Sequence, residues 1–225
     1  AMKDPEARAH ISYLAGMAYF NKEQYDSADG MFAVVKNSPD TTLQADGWLK
    51  YADCQYNLGN FKKAVKEYES VAERFAGTRF SDEAVYAAGL CKIKTGQTGD
   101  AIADYENFLK THPASPMSPS ILIEAAKLYF EKGDDAKVSE KISLIEQSPE
   151  ARFKQEASRL RVKLAEKRNQ PEEIYQEAVR HMKTYGSEDD VVLVAVQTTV
   201  GAAKFEETLK ILESVQMDKF KPALL

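Results

Sequence analysis

The side chains able to do chemistry are few and scattered. The three histidines, His10, His112 and His181, lie far apart, and none has a metal-ligating companion at helical spacing. Adjacent acids include Asp134-Asp135, Glu172-Glu173 and Asp189-Asp190. An acid/base pair could be built from such residues, but each couplet falls at the start of an expected helix. There its charge favours the helix dipole rather than acid/base chemistry. Neither a phosphate-cradling glycine loop nor an HExxH motif is present. Cys54 and Cys91 are 37 residues apart, each among small and apolar neighbours, so both are expected to be buried small hydrophobes. A disulfide between them would need adjacent helices with suitable geometry. The residues predict no catalytic, cofactor or metal site, and a protein that is not an enzyme.

Composition narrows the class. The 225 residues are 44% apolar and 29% charged, ordinary for a folded soluble chain and against disorder. A net charge of −5 lacks the basic excess expected of a nucleic-acid binder. No apolar run approaches the ~20 residues that would span a bilayer. The N-terminus has no signal-peptide pattern: Ala1-Met2 reads as a cloning scar and Asp4-Pro5-Glu6 as a helix start. The lack of a targeting segment therefore carries no information about compartment.

The elements that must position any surface repeat along the chain. Tyr25 with Ala28, Phe61 with Ala64, and Thr98 with Ala101 follow one another at steps of 36 and 37. Asp135 with Val138, Pro171 with Ile174, and Phe205 with Thr208 continue at 37, 36 and 34. Gly59, Gly96 and Gly133 occupy the turn before the second, third and fourth of these, where a left-handed residue ends a helix. Pro5, Pro119 and Pro171 sit where helices should begin, and Pro39, Pro113, Pro116 and Pro149 fall between units. Expected N-caps are Asp4, Ser81, Ser118 and Ser187. The pattern predicts six helix pairs: 5–21 with 24–37, 42–58 with 61–75, 81–95 with 98–112, 118–132 with 135–147, 150–168 with 171–185, and 188–203 with 205–216. Large residues (Trp48, Tyr51, Phe61, Tyr68) alternate with small ones (Ala52, Ala64), which lets paired helices approach closely.

Four units in this register resemble the tetratricopeptide repeat. Gly16, Tyr19, Tyr25, Ala28 and Phe32 carry the likeness in the first unit, and Trp48, Ala52, Gly59, Phe61, Ala64 and Tyr68 in the second. Gly89, Gly96, Ala101, Tyr105 and Pro113 carry it in the third, and Ala126, Tyr129 and Gly133 in the fourth. The last two units depart, with Val162 and Val196 where Gly or Ala is usual, and Ile174 and Thr208 in place of alanine. The resemblance implies an all-α, right-handed superhelical solenoid of about six antiparallel helix pairs. Residues 1–225 form one solenoid in this reading, with four clear repeats over 1–147 and two degenerate repeats plus a tail over 148–225.

The steps of 36–37 exceed the family's usual 34. The joining segments 74–80 and 111–116 resemble those of bacterial envelope members of the family. That implies a periplasmic or cell-envelope location, with the cytoplasm as the alternative.

The resemblance further implies a non-enzymatic scaffold binding a protein or peptide segment in a concave groove lined by first helices, without cofactor, nucleic acid or membrane span. That face would carry Tyr13, Met17, Leu49, Asp53, Tyr56, Tyr86, Leu90, Ile123, Lys127 and Phe130. Some family members clamp a partner's terminal carboxylates with Lys and Asn; the matching positions here hold Met17 and Asp53, so no such clamp is expected. Arg159 and Lys163, four apart on a basic helix, would share the concave face as a subsite for an acidic segment; a solvated helix face is the bland alternative. A second functional reading is a self-associating spacer or a fragment of a larger repeat protein, suggested by the weak final repeats and the apolar end Pro222-Ala223-Leu224-Leu225.

Overall fold

Six turns set the architecture. Each holds one residue in the left-handed region: Glu23, Gly59, Gly96, Gly133, Asn169 and Ala203, with φ between 52° and 80°. Their spacing repeats the steps read from the sequence. Glycine takes this conformation freely, whereas Glu23, Asn169 and Ala203 hold it with a side chain. At five of these turns the residue after the left-handed position closes the preceding helix, as when Asn60 N donates to the Gln55 carbonyl (2.9 Å) and Lys204 N to that of Thr199 (2.8 Å); at the fifth turn in chain order, Asn169 N itself donates to the Glu166 carbonyl (2.9 Å).

The structure, a computed structural model, describes residues 4–215 and contains within them twelve helices and no strand. They are α1 (Pro5–Asn21), α2 (Tyr25–Val35), α3 (Thr41–Asn57), α4 (Phe61–Arg74), α5 (Arg79–Lys94) and α6 (Thr98–Thr111), then α7 (Ser118–Lys132), α8 (Asp135–Ile145), α9 (Ala151–Arg168), α10 (Pro171–Tyr185), α11 (Asp189–Gly201) and α12 (Phe205–Ser214). Within the described residues, the ends agree with the periodic reading to within two residues. Position 216 and the apolar end 222–225 lie outside the described residues.

The capping chemistry differs from expectation at three helices. Asp4 caps α1 as expected, accepting from Glu6 N at 3.0 Å. Ser81, however, lies inside α5, whose cap is Thr78, and Ser187 lies before Glu188, which caps α11. Ser118 opens α7 and donates its hydroxyl to the His112 carbonyl at 2.7 Å. Acids and hydroxyls cluster at these starts, so residue type alone did not separate the cap from its neighbours.

The chain divides into two compact units, Ala1–Ile121 and Leu122–Leu225, the division falling within α7. In the first, α3 packs between its neighbours and touches both α1 and α5. Close approach depends on small residues. A Cβ on Gly16 would lie 2.8 Å from the Phe32 ring, on Gly47 2.5 Å from Val35, and on Gly89 2.3 Å from Tyr105. Phe32, Val35 and Tyr105 are fully buried and could not yield. Ala45, Ala52, Ala64, Tyr68, Val71, Ala84, Ala88 and Cys91 join in one apolar cluster across α3, α4 and α5. Both cysteines are buried free thiols. In the second unit, Val162, Ala178, Val191, Val192, Ala195 and Ile211 form the cluster joining α9 through α12. Val162 is accommodated where the first unit requires Gly or Ala because its partner Ala178 is small.

Candidate partner-binding surfaces

In the first unit the wall formed by α1, α3 and α5 carries a polar stripe with aromatic margins. Asp46, Lys50 and Asp53 recur along one face of α3 at helical spacing. Lys50 Nζ binds Asp53 at 2.8 Å, and Asp53 also accepts from the hydroxyl of Tyr68 at 2.7 Å. Burial works against the charge of Lys50, but Asp53, Asp46 and Glu83 outweigh it and hold its pKa above the ordinary lysine value. Tyr13 donates its hydroxyl to Asp46 at 2.7 Å. Burial and that bond push the phenol up to about 12. Three carboxylates thus act on the Lys50 ammonium, of which Asp53 touches it, and with Arg79 as a second cation near Tyr13 the wall keeps an acidic surplus of one.

The other expected residues of this wall are placed as follows. Met17 is half-buried against the α2 core, and Leu90 is half-buried on α5. Tyr56 stands edge-on to Phe61 at 5.4 Å, and Tyr86 stacks on Tyr105 at 6.5 Å, both half-buried. Leu49 is a core residue, 5% exposed within the cluster of α3, α4 and α5. It therefore packs the unit together and presents almost no surface. Leu14, which was not anticipated, occupies the repeat position of Lys50 and is 68% exposed.

In the second unit Ile123 is buried. Lys127 binds Glu124 at 3.0 Å and Glu156 at 3.6 Å. Phe130 lies beneath the Lys167 ammonium, 4.5 Å from the ring, and its carbonyl accepts from the same ammonium at 2.7 Å. Lys163 is exposed. Arg159 meets Glu188 at 3.0 Å, Asp190 at 2.6 Å and Glu156 at 3.8 Å. Its guanidinium is thus already surrounded by carboxylates of its own chain. His181, fully buried, places Nε2 3.6 Å from Glu188, which also accepts from Gln155. This knot of Gln155, Arg159, His181, Glu188 and Asp190 was invisible in the sequence, because it joins three elements and its α9 members lie more than twenty residues from the others. Among the described residues, no cluster of three or more potential metal ligands occurs, and no helix is long and apolar enough to cross a membrane.

Comparison with known proteins bears on the fold. A family model described as tetratricopeptide repeat matches residues 46–78 and 83–115, the stretches running from within α3 past α4 and from within α5 past α6. Solved structures extend the likeness over nearly the whole chain. A tetratricopeptide repeat protein from Parabacteroides merdae is 14% identical with a TM-score of 0.69, covering 93% of this chain and 79% of that one. The chain has the tetratricopeptide-repeat fold. PilW, described as a widely conserved type IV pilus biogenesis factor, is 12% identical with a TM-score of 0.68, covering 96% of this chain and 94% of its own. TTC0263, a thermophilic repeat protein of Thermus thermophilus, is 12% identical at a TM-score of 0.55, covering 85% and 99%. No curated protein sequence matches the chain. Tetratricopeptide-repeat proteins are typically interaction scaffolds and generally non-catalytic; at these identities the likeness carries the fold alone.

Proposed function

We propose that this protein is a non-enzymatic scaffold whose first unit holds a segment of a protein partner against the α1–α3–α5 wall. The observation that carries the reading is the composition of that wall. Half-buried Tyr13, Met17, Tyr56, Tyr86 and Leu90, with exposed Leu14, flank a stripe in which Asp46, Asp53 and Glu83 outnumber Lys50 and Arg79. Amphipathic rings supply contact area at small entropic cost, and the acidic surplus favours a segment bearing basic side chains. Arg159 and Lys163 form no comparable subsite in this reading, since Arg159 is engaged by Glu188 and Asp190. A cell-envelope location is proposed with it, supported by the joining segments 74–80 and 111–116; fractionation of the source cells tests that part.

The binding test compares wild type with a Tyr56→Ala/Tyr86→Ala double variant in capture of partners from source-cell lysate, followed by titration of peptides from the captured protein. Loss of at least tenfold in affinity is expected, with Glu83→Gln weakening basic peptides selectively. Equal binding by a double variant with unchanged helical signal would sink the wall assignment.

A further inference from the structure

The first and last described helices expose faces that, elsewhere in the chain, meet each other. Positions are matched by distance from the left-handed turn residue of each pair. Twelve residues before the turn stand Ile11, Gly47 and Ala84; five before stand Ala18, Cys54 and Cys91; four before stand Tyr19, Gln55 and Lys92. In α3 and α5 all of these positions are buried under the second helix of the preceding pair. Gly47 abuts Val35 of α2, and Gln55 donates to Asp29 of the same helix. In α5, Ala84 and Cys91 join the cluster containing Val65 and Val71 of α4, and Lys92 binds Glu69 at 2.7 Å. In α1 the same positions lie open: Ile11 is 53% exposed, Tyr19 39%, and Ala18 is exposed too.

The complementary face is on α12. Leu209, six residues after its turn, corresponds to Val65 and Ile102, which are both buried; Leu209 is 59% exposed. Glu213 corresponds to Glu69, the carboxylate that reaches position 92. By that correspondence it would face the hydroxyl of Tyr19. Lys62 and Thr95 line one cavity at the α4–α5 junction; their counterparts are Glu206 on α12 and Lys22 after α1, an opposite-charge pair. Hydrophobicity and charge at these two faces thus follow the pattern of the interface that already joins α2 to α3 and α4 to α5.

We propose that the occupant is a second copy of this chain, with α12 of one copy packed on α1 of the next, head to tail. The contact is heterologous: each copy uses one face and leaves the other open, so association extends beyond two copies until a ring closes or the chain of copies ends. The proposal does not depend on the partner-binding wall, because Ile11 and Leu209 lie outside it.

Two variants, Ile11→Glu and Leu209→Glu, test it by sedimentation velocity over a wide concentration range. Both side chains are mostly exposed, so the helical signal should match wild type, and circular dichroism checks this. Wild type is expected to gain mass with concentration, while each variant alone stays at the mass of one chain. An equimolar mixture of the two should reach twice that mass and go no further, because the intact α12 face of Ile11→Glu meets the intact α1 face of Leu209→Glu. A wild type that stays at one chain's mass would overturn the proposal. Variants that associate like wild type, or a mixture that remains at one chain's mass, would overturn it equally.

Discussion

Glu23 and Ala203 hold left-handed backbone, at φ 58° and 56°, where the second, third and fourth turns of the array use Gly59, Gly96 and Gly133. A Cβ in this region costs about 1–2 kcal/mol through its contact with the following carbonyl. Part of that cost is offset because a non-glycine residue loses less freedom on folding. Glu23→Gly and Ala203→Gly are therefore each expected to stabilise the protein by about 0.5–1 kcal/mol, with a smaller gain for Asn169→Gly, since asparagine tolerates this conformation better. Urea unfolding of the three variants measures it; an unchanged or lowered midpoint for both Glu23→Gly and Ala203→Gly would refute the strain argument. The place of all six turns was legible from the spacing of Tyr25, Phe61, Thr98, Asp135, Pro171 and Phe205. Their shared conformation was legible only at Gly59, Gly96 and Gly133, because Glu and Ala do not announce a positive φ.

At the scale of elements, ion pairs across helices separate structural charge from solvated charge. Arg159 ties α9 to Glu188 and Asp190 at the start of α11, with its side chain 35% exposed, whereas Arg152 is 73% exposed and meets only near neighbours in sequence, Glu150 at 2.8 Å and the Phe153 ring at 4.4 Å. Arg159→Met should lower stability by about 1 kcal/mol, while Arg152→Met should stay within about 0.5 kcal/mol of wild type. The hydrogen bond from Arg159 holds the Asp190 carboxyl below its ordinary pKa. Its stabilisation is accordingly present above the ordinary carboxylate pKa and is lost as pH falls through the depressed value. The difference between Arg159→Met and wild type should shrink in acid; equal effects of the two substitutions at neutral pH would contradict this division. The basic stripe of α9 was plain in the sequence. Its acidic counterparts were not, since which acids lie beside it depends on how α11 packs.

For the molecule as a whole, the groups shifted upward by burial concentrate in the first unit. Burial, followed by the neighbouring carboxylates, pushes the thiols of Cys54 and Cys91 up to about 12. The Tyr13 phenol reaches about 12 as well, and burial with Asp53 drives Tyr68 higher still. Each of these acids is neutral in the folded state at pH values where the unfolded chain ionises it. The stability they confer is complete below the ordinary thiol and phenol values of 9.0 and 10.0 and is lost as pH rises toward the folded values. Thermal unfolding followed by the fluorescence of the single tryptophan, Trp48, which lies in this unit, should move to lower temperature from about pH 9 upward. Both thiols should resist alkylation in the native protein at pH 8. A flat melting profile to pH 11, or rapid alkylation without unfolding, would show that these groups are not sequestered as described.

The sequence by itself determined the number of helices, their ends to within two residues, the pairing of large with small side chains, and the class of fold. It could do so because helical periodicity, turn residues and repeat spacing are local quantities. Tertiary structure decided which of the first-helix residues present surface. Leu49 and Ile123 turn inward, Leu14 turns outward, and Asp53 is shared between Lys50 and Tyr68. It also decided that Arg159 faces the acids of α11 and that Ile11 of α1 and Leu209 of α12 are exposed. These outcomes depend on which helix lies beside which, a relation between residues tens of positions apart that no local pattern encodes.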